Sequence, residues 1–338
     1  MDLQNPKTIL VVQIGKIGDM ILTTPLFGEL KKLFPSSQLT VLASEINRDI
    51  PLNHNSVDNV IVYKKALLKN TGLLKTLFRN VDLWIDTKYE YSKTSSLLVK
   101  ILNPKVSLGY NFQKKIFDVS LNEYLSGDHA VEINLSPVSF FRKINVKLDL
   151  KPSFTIPEAV SKKFQASFNS TKKNILINVS AGSESRYWSK ENWLNLIKKI
   201  SINKNYAFKI IGMESDKELI DFIVEGSEDA EIQFLKTENI LETSAAVIKS
   251  YVIITADTSI VHICSAFDKP VLALFPNVEW NFKKFKPLSK YSGSILSPNG
   301  NSMRGIKPDE VKEEFLKLVE KINSGNAESR TRVRKEDH

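Results

Sequence analysis

The chain has a single cysteine, Cys264, which excludes an intramolecular disulfide and fits a reducing compartment. No run approaches the roughly 18 uncharged residues that a membrane helix needs. The opening residues, Met1-Asp2-Leu3-Gln4-Asn5-Pro6, lack the basic and apolar regions of a secretory signal. These absences together predict a cytoplasmic protein. With four histidines and no His/Cys/Asp cluster at ligand spacing, neither a structural nor a catalytic zinc is expected. The P-loop pattern is missing, as is the Gly-x-Ser-x-Gly elbow of serine hydrolases. No Asp-x-Asp pair appears that could hold a divalent ion on a sugar diphosphate.

Positive charge is in excess, with 47 Lys and Arg against 38 Asp and Glu and a net charge of +9. Such a balance favours anionic partners, such as phosphorylated substrates or an acidic membrane face. The basic residues are scattered pairs such as Lys64-Lys65, Lys114-Lys115 and Lys283-Lys284, the pattern of a solvated surface. No RNA-binding aromatic signature accompanies them, so nucleic acid is not an expected partner. The length of 338 residues suits two domains of about 150 each.

Strand and helix alternate in the first half, which predicts parallel βαβ units. Continuous apolar runs at Ile9–Ile14, Leu39–Leu42, Val60–Tyr63, Leu83–Ile85 and Val106–Tyr110 read as strands. Helical spacing is found over Leu22–Leu33, Leu67–Phe78 and Ser92–Ile101. A first domain over 1–155 is followed by a linker at 156–173, marked by Ile156-Pro157 and the polar run Asn169-Ser170-Thr171-Lys172-Lys173. A new βα series then fills 174–307, with strands at Asn174–Val179, Phe208–Gly212, Tyr251–Ala256 and Pro270–Phe275 and helices at Lys190–Ile200 and Ile260–Phe267. An amphipathic helix over 308–323 could pack back on the first domain, and the charged stretch 324–338 reads as a disordered tail.

Two strand ends carry the chemistry. The first strand runs into Gly15-Lys16-Ile17-Gly18-Asp19, and Tyr251–Ala256 runs into Asp257-Thr258-Ser259-Ile260-Val261-His262. In an open α/β sheet, ligands sit at such carboxyl ends. Two of them, about a domain apart, predict two sheets facing one cleft. Asp19 is either a helix-capping carboxylate or a general base acting on a hydroxyl. The loop Ser180-Ala181-Gly182 through Arg186 offers small residues and a cation to an anion, or is an ordinary βα loop with a surface arginine. Thr258 and Ser259 can cap a helix whose free N–H groups face a diphosphate. His262, one turn on, can reach the same anion or be a satisfied core residue. Cys264 reads as a small buried hydrophobe. Glu45, after the second strand, has the place of a ribose-binding acid, but the glycines here do not complete a dinucleotide fingerprint.

At these residues the chain resembles the heptosyltransferases of glycosyltransferase family nine. The likeness lies in Gly18-Asp19-Met20-Ile21-Leu22-Thr23-Thr24-Pro25, in Asp82–Asp86 with Ser92 and Gly109-Tyr110, in Arg186-Tyr187-Trp188, and in Asp257–His262 with Ala266, Lys269-Pro270-Val271 and Leu274-Phe275. The resemblance implies an α/β GT-B fold of two Rossmann-like domains with parallel sheets facing a central cleft. The first domain would take the acceptor and the second the nucleotide sugar. It implies an inverting, metal-independent transfer with no cofactor, the donor being ADP-heptose by family default. Asp19 becomes the base and Arg186 the cation that meets the leaving diphosphate. The donor group then comprises Ser180, Ala181, Gly182, Arg186, Met213, Glu214, Asp257, Thr258, Ser259 and His262. Lys16, Gly18, Lys88 and Lys93 are the acceptor contacts, and the implied partner is an anionic lipid-linked saccharide at the inner membrane face. The chain departs from the family pattern at Gln13 (usually Arg or Lys), Gly15-Lys16, Ala181-Gly182, Ser189 and Ser259. A non-catalytic sugar-nucleotide or envelope-saccharide binding module, and a nicotinamide-dependent Rossmann enzyme, are the other readings open at this point.

Overall fold

The structure is a computed structural model that describes residues 5–64, 81–112, 114–142, 148–168 and 171–336. The chain divides into two compact units, Met1–Thr155 and Ile156–His338. Each holds a parallel six-stranded sheet among its described residues. The first contains β1 (Thr8–Gln13), β2 (Gln38–Ala43), β3 (Asn59–Val62), β4 (Leu83–Asp86), β5 (Val106–Gly109) and β6 (Val119–Ser120). The second contains β7 (Lys173–Asn178), β8 (Tyr206–Ile211), β9 (Ile232–Phe234), β10 (Val252–Ala256), β11 (Val271–Phe275) and β12 (Ser292–Leu296).

The first sheet runs β3-β2-β1-β4-β5-β6 and the second β12-β11-β10-β7-β8-β9. Counted from its own first strand, the second sheet therefore repeats the order of the first, the doubly wound Rossmann arrangement. In both, the order reverses between the first and fourth strands, β1 beside β4 and β7 beside β10. The loops that leave these four strands define a ligand crevice at each switch point. β4 and β10 are buried along their whole lengths, which is why they are apolar but for Asp86 and Thr255.

Sequence chemistry also explains the flanking helices. Helix Ile17–Leu33 contains Pro25, which cannot donate to the Ile21 carbonyl. The Thr24 hydroxyl donates to that carbonyl instead, at 2.7 Å. Helix Lys190–Ser201 starts at Ser189, whose hydroxyl accepts the Asn192 N–H at 3.2 Å. Its buried face, Trp193, Leu196, Ile197 and Ile200, sits in the second unit's core.

Several sequence expectations are corrected. The 156–173 linker carries a helix, Glu158–Lys163, tied into the second unit by Lys163 to Glu242 at 2.6 Å. Pro157 at the helix start and the i,i+4 pair Glu158–Lys162 supply its local cause. The last helix runs Pro308–Glu336, so residues 324–336 are helical where a disordered tail is expected. Ala, Glu, Arg and Lys are strong helix formers, and they extend a helix already anchored by packing. Gly325 is no stop signal: a Cβ there would collide with the Tyr291 hydroxyl, so the glycine permits close approach. The sequence leaves open that this helix packs back on the first domain. Its apolar residues Val311, Phe315, Leu318, Val319 and Ile322 are instead taken up in the second unit's own core. The helix expected over Leu67–Phe78 lies outside the described residues.

Candidate active site

At the end of β1, Gln13 is buried and its side-chain amide organises the turn that follows. Its Nε2 donates to Thr23 Oγ1 at 3.2 Å and Thr87 Oγ1 at 2.8 Å, while its Oε1 accepts the Gly15 N–H at 3.1 Å. A Cβ on residue 15 would sit 2.7 Å from that Oε1, so Gln13 and Gly15 fit as a pair. Asn47 closes the far side, donating to the carbonyls of Gln13 and Gly15, each at 3.0 Å. A long cation at position 13 would need a different turn.

Asp19 stands in the first turn of helix Ile17–Leu33 and is half-buried. Its Oδ2 accepts the Lys16 N–H at 3.2 Å, and no bond to Oδ1 is found among the described residues. One carboxylate oxygen thus secures the helix start while the other is open. The positive end of the helix dipole stabilises a charge placed there. Lys16 and Gly18 belong to the same turn. Lys88 and Lys93 are exposed on the loop and helix that follow β4, at the same end of the sheet.

Asp86, which ends β4 and closes the Asp82–Asp86 segment, is a functional candidate to which the sequence assigns no role. It is 1% exposed, and its Oδ1 accepts the Lys88 N–H at 2.9 Å. Burial pushes its carboxyl up to about 6, outweighing the opposing Ser95 and Lys88 contributions. Because the folded form then binds its proton more tightly than the unfolded chain, Asp86 supports folding fully at low pH. That contribution falls as pH rises from near 4 through 6, by roughly 3 kcal/mol in all. Asp86→Asn keeps the acceptor for Lys88 and does not ionise. Urea unfolding should find the variant more stable than the parent at about pH 7.5, with no such advantage at about pH 4.5. An equal difference at both pH values would show that Asp86 does not titrate in this range.

In the second unit, β7 ends at Asn178, whose Nδ2 donates to the Ser180 carbonyl and Thr255 Oγ1, both at 3.0 Å, and to Thr258 Oγ1 at 3.4 Å. This buried amide joins the two switch-point loops. Ser180 Oγ accepts the Met213 N–H at 2.7 Å and donates to Asp216. Asp216 also accepts the Tyr187 hydroxyl, at 3.0 Å. Trp188 anchors the loop from below, donating its indole N–H to the Ile306 carbonyl at 2.9 Å and packing edge-on to Trp193. With Trp188 locked in the core, Arg186 is held at the sheet's edge.

Arg186 meets Asp257 through Nε at 3.3 Å from Oδ2 and Nη1 at 3.4 Å from the backbone carbonyl. Asn281 completes the group: its Nδ2 donates to Asp257 Oδ2 at 2.8 Å, and its Oδ1 accepts from Arg186 Nη2 at 3.5 Å. Asp257 is buried, and its carboxylate faces Arg186 and Asn281, so it positions the guanidinium rather than offering a contact to an anion. Thr258 caps helix Ser259–Ala266, accepting the Ile260 N–H at 3.3 Å. His262 is buried on that helix, 5.9 Å from the Phe285 ring. Cys264 is buried, and burial pushes its thiol up, as for a core residue.

Asp257, Thr258, Ser180 and Arg186 therefore share one hydrogen-bonded end of the second sheet. Met213 joins it through its backbone, with a side chain 47% exposed. Ala181 is buried, and Gly182 and Glu214 are exposed beside it. The motifs miss Asn178, Asp216 and Asn281. Asn178 carries a signal, a polar residue closing an apolar strand, whereas Asn281 lies in a short helix with no pattern to mark it. A groove next to the loop is lined by Ser183, Tyr187, Asn299, Ser302 and Arg304, among others. Among the described residues, no group of three His, Cys, Asp or Glu is placed to hold a metal ion, and no helix is long and apolar enough to cross a membrane.

Residues 72–313 match the model of glycosyltransferase family 9 (heptosyltransferase). The chain is 24% identical over 279 residues to a putative lipopolysaccharide heptosyltransferase 4 of Escherichia coli K12, covering 78% of this chain and 72% of that one. A family 9 glycosyl transferase from Veillonella parvula superposes with a TM-score of 0.79 at 18% identity, over 94% of this chain and 98% of its own. The E. coli heptosyltransferase WaaC with ADP gives 0.73 at 17% identity, over 92% and 99%. These structures share the fold of this chain.

Proposed function

The chain belongs to glycosyltransferase family 9, and from that membership we propose that it moves heptose from ADP-heptose to a hydroxyl of a lipopolysaccharide-core saccharide. The transfer inverts the anomeric centre and uses no metal ion. The observation that carries this reading is the fixed guanidinium of Arg186, held by Asn281 and by Asp257, the residue before the Thr258 cap of helix Ser259–Ala266. A cation beside helix N–H groups is what a departing diphosphate requires.

The roles then follow from chemistry. Asp19 takes the proton of the acceptor hydroxyl, whose oxygen forms a bond to the anomeric carbon as the bond to the diphosphate breaks. Arg186 neutralises the charge that develops on the leaving group. Ser180, Ala181, Gly182, Met213, Glu214, Thr258, Ser259 and His262 line the donor, with Asp257 holding Arg186. Lys16, Gly18, Lys88 and Lys93 meet the acceptor. The lysine excess suits an anionic, lipid-linked acceptor at the cytoplasmic membrane face.

The test is transfer from ADP-heptose to de-acylated lipopolysaccharide core oligosaccharide in the presence of EDTA, with the product's anomeric configuration read by NMR. A thermal-shift panel of ADP, UDP, GDP and NAD accompanies it. Inverted product and selective stabilisation by ADP are expected. Stabilisation by NAD alone, or turnover that EDTA abolishes, would overturn the reading.

A further inference from the structure

The loops that follow β4 and β5 carry an aromatic cluster to which the roles above give no part. Tyr89, Tyr110 and Phe112 lie within ring-centroid distances of 5.2, 5.0 and 6.1 Å, with Tyr110 and Phe112 parallel to within 3°. Tyr110 is the buried base, and its hydroxyl donates to the Ile133 carbonyl at 2.6 Å. Phe112 is the outer ring, 50% exposed. A lone exposed phenylalanine needs no explanation. This one is seated on two other rings, at the carboxyl edge of a parallel sheet, two strands along from β1, whose turn bears Asp19.

The loop that carries it is clamped. Asn111 Oδ1 accepts the N–H groups of Ile116 and Phe117 at 2.9 and 3.1 Å, and its Nδ2 donates to the Phe117 carbonyl at 3.0 Å. The Asn111 N–H itself donates to Asn122 at 3.0 Å. Lys114, exposed on this loop, reaches across to the other, its Nζ 5.0 Å from the Tyr91 ring centroid. Lys88 stands exposed beside Tyr89, as does the acidic Glu90. Asp118, at the loop's end, is taken up by the Ser107 N–H and hydroxyl at 2.8 and 2.7 Å.

We propose that these two loops form a saccharide shelf: Phe112 and Tyr89, supported by Tyr110, receive the C–H face of a pyranose ring whose anionic substituent pairs with Lys114 and Lys88. The inference rests on the transferase reading and gives the acceptor its subsite. The negative face of an aromatic ring attracts the polarised C–H groups of a sugar. A loop held by its own hydrogen bonds loses little entropy when the sugar docks. Two exposed lysines on these same loops match a phosphorylated or carboxylated saccharide better than a neutral one.

The experiment titrates the full chain with de-acylated lipopolysaccharide core oligosaccharide by calorimetry, with ADP as the control ligand. Phe112→Ala should weaken oligosaccharide binding about tenfold. Acceptor KM should rise in parallel at unchanged kcat, with ADP affinity retained. Phe112→Trp, which keeps a ring, should restore binding, and Lys114→Ala should reduce its salt dependence. A parent that transfers heptose while Phe112→Ala and Lys114→Ala bind the oligosaccharide unchanged would overturn the shelf and leave the transferase intact. A parent that neither binds the oligosaccharide nor glycosylates it would overturn both.

Discussion

Asp19→Asn should lower turnover by about 10²–10⁴-fold, the usual worth of a positioned general base. The substitution is nearly isosteric, and the asparagine carbonyl can still accept the Lys16 N–H that Asp19 accepts at 3.2 Å. The start of helix Ile17–Leu33 is therefore preserved, and stability should stay within about 0.5 kcal/mol of the parent. ADP affinity should not change, since Asp19 belongs to the first unit and the proposed donor residues to the second. What is lost is an oxygen able to take a proton. Steady-state kinetics at saturating donor, with ADP binding measured alongside, decides the matter. Unchanged turnover would return Asp19 to a purely helix-initiating role.

Arg186→Met should lower kcat by about 10²–10³-fold, the cost of removing one preorganised donor aimed at developing charge. The side chain keeps its apolar reach and loses the guanidinium. A second effect must be separated from this one. Asp257 is buried and faces Arg186, so the single variant takes the guanidinium away from a buried carboxylate and should also destabilise the second unit. The double variant Arg186→Met with Asp257→Asn removes that charge. It should recover stability in urea unfolding without recovering turnover. If activity returns together with stability, Arg186 is a structural partner of Asp257 and not a catalytic residue.

Much of the fold is legible in the sequence because buried parallel strands must be apolar on both faces. β1, β4, β7, β10 and β11 are all runs of this kind, and they fix both switch points. β9 and β12 escape notice for the opposite reason. Ile232–Phe234 is a short edge strand, and Ser292–Leu296 opens with Ser-Gly-Ser, so neither presents a continuous apolar signal. The candidate site is marked in the sequence where a loop carries a charge at a strand end, as at Asp19, Arg186 and Asp257. What pattern reading does not reach is the direction in which a side chain points. Asp257 looks like a phosphate-side residue in its motif, yet its carboxylate turns to Arg186 and to Asn281, 24 residues away. The same holds for Gln13, whose amide makes sense only beside Thr23, Thr87 and Gly15.

The long final helix has a consequence for how the protein is made. Val311, Phe315, Leu318, Val319 and Ile322 share a core with β7 and β8, strands that leave the ribosome more than a hundred residues earlier. During synthesis the first unit can complete its sheet while the second waits, its apolar strand faces uncovered until the last helix emerges. That interval is when the nascent chain is most open to aggregation and to capture by chaperones, and a messenger truncated ahead of residue 308 would prolong it indefinitely.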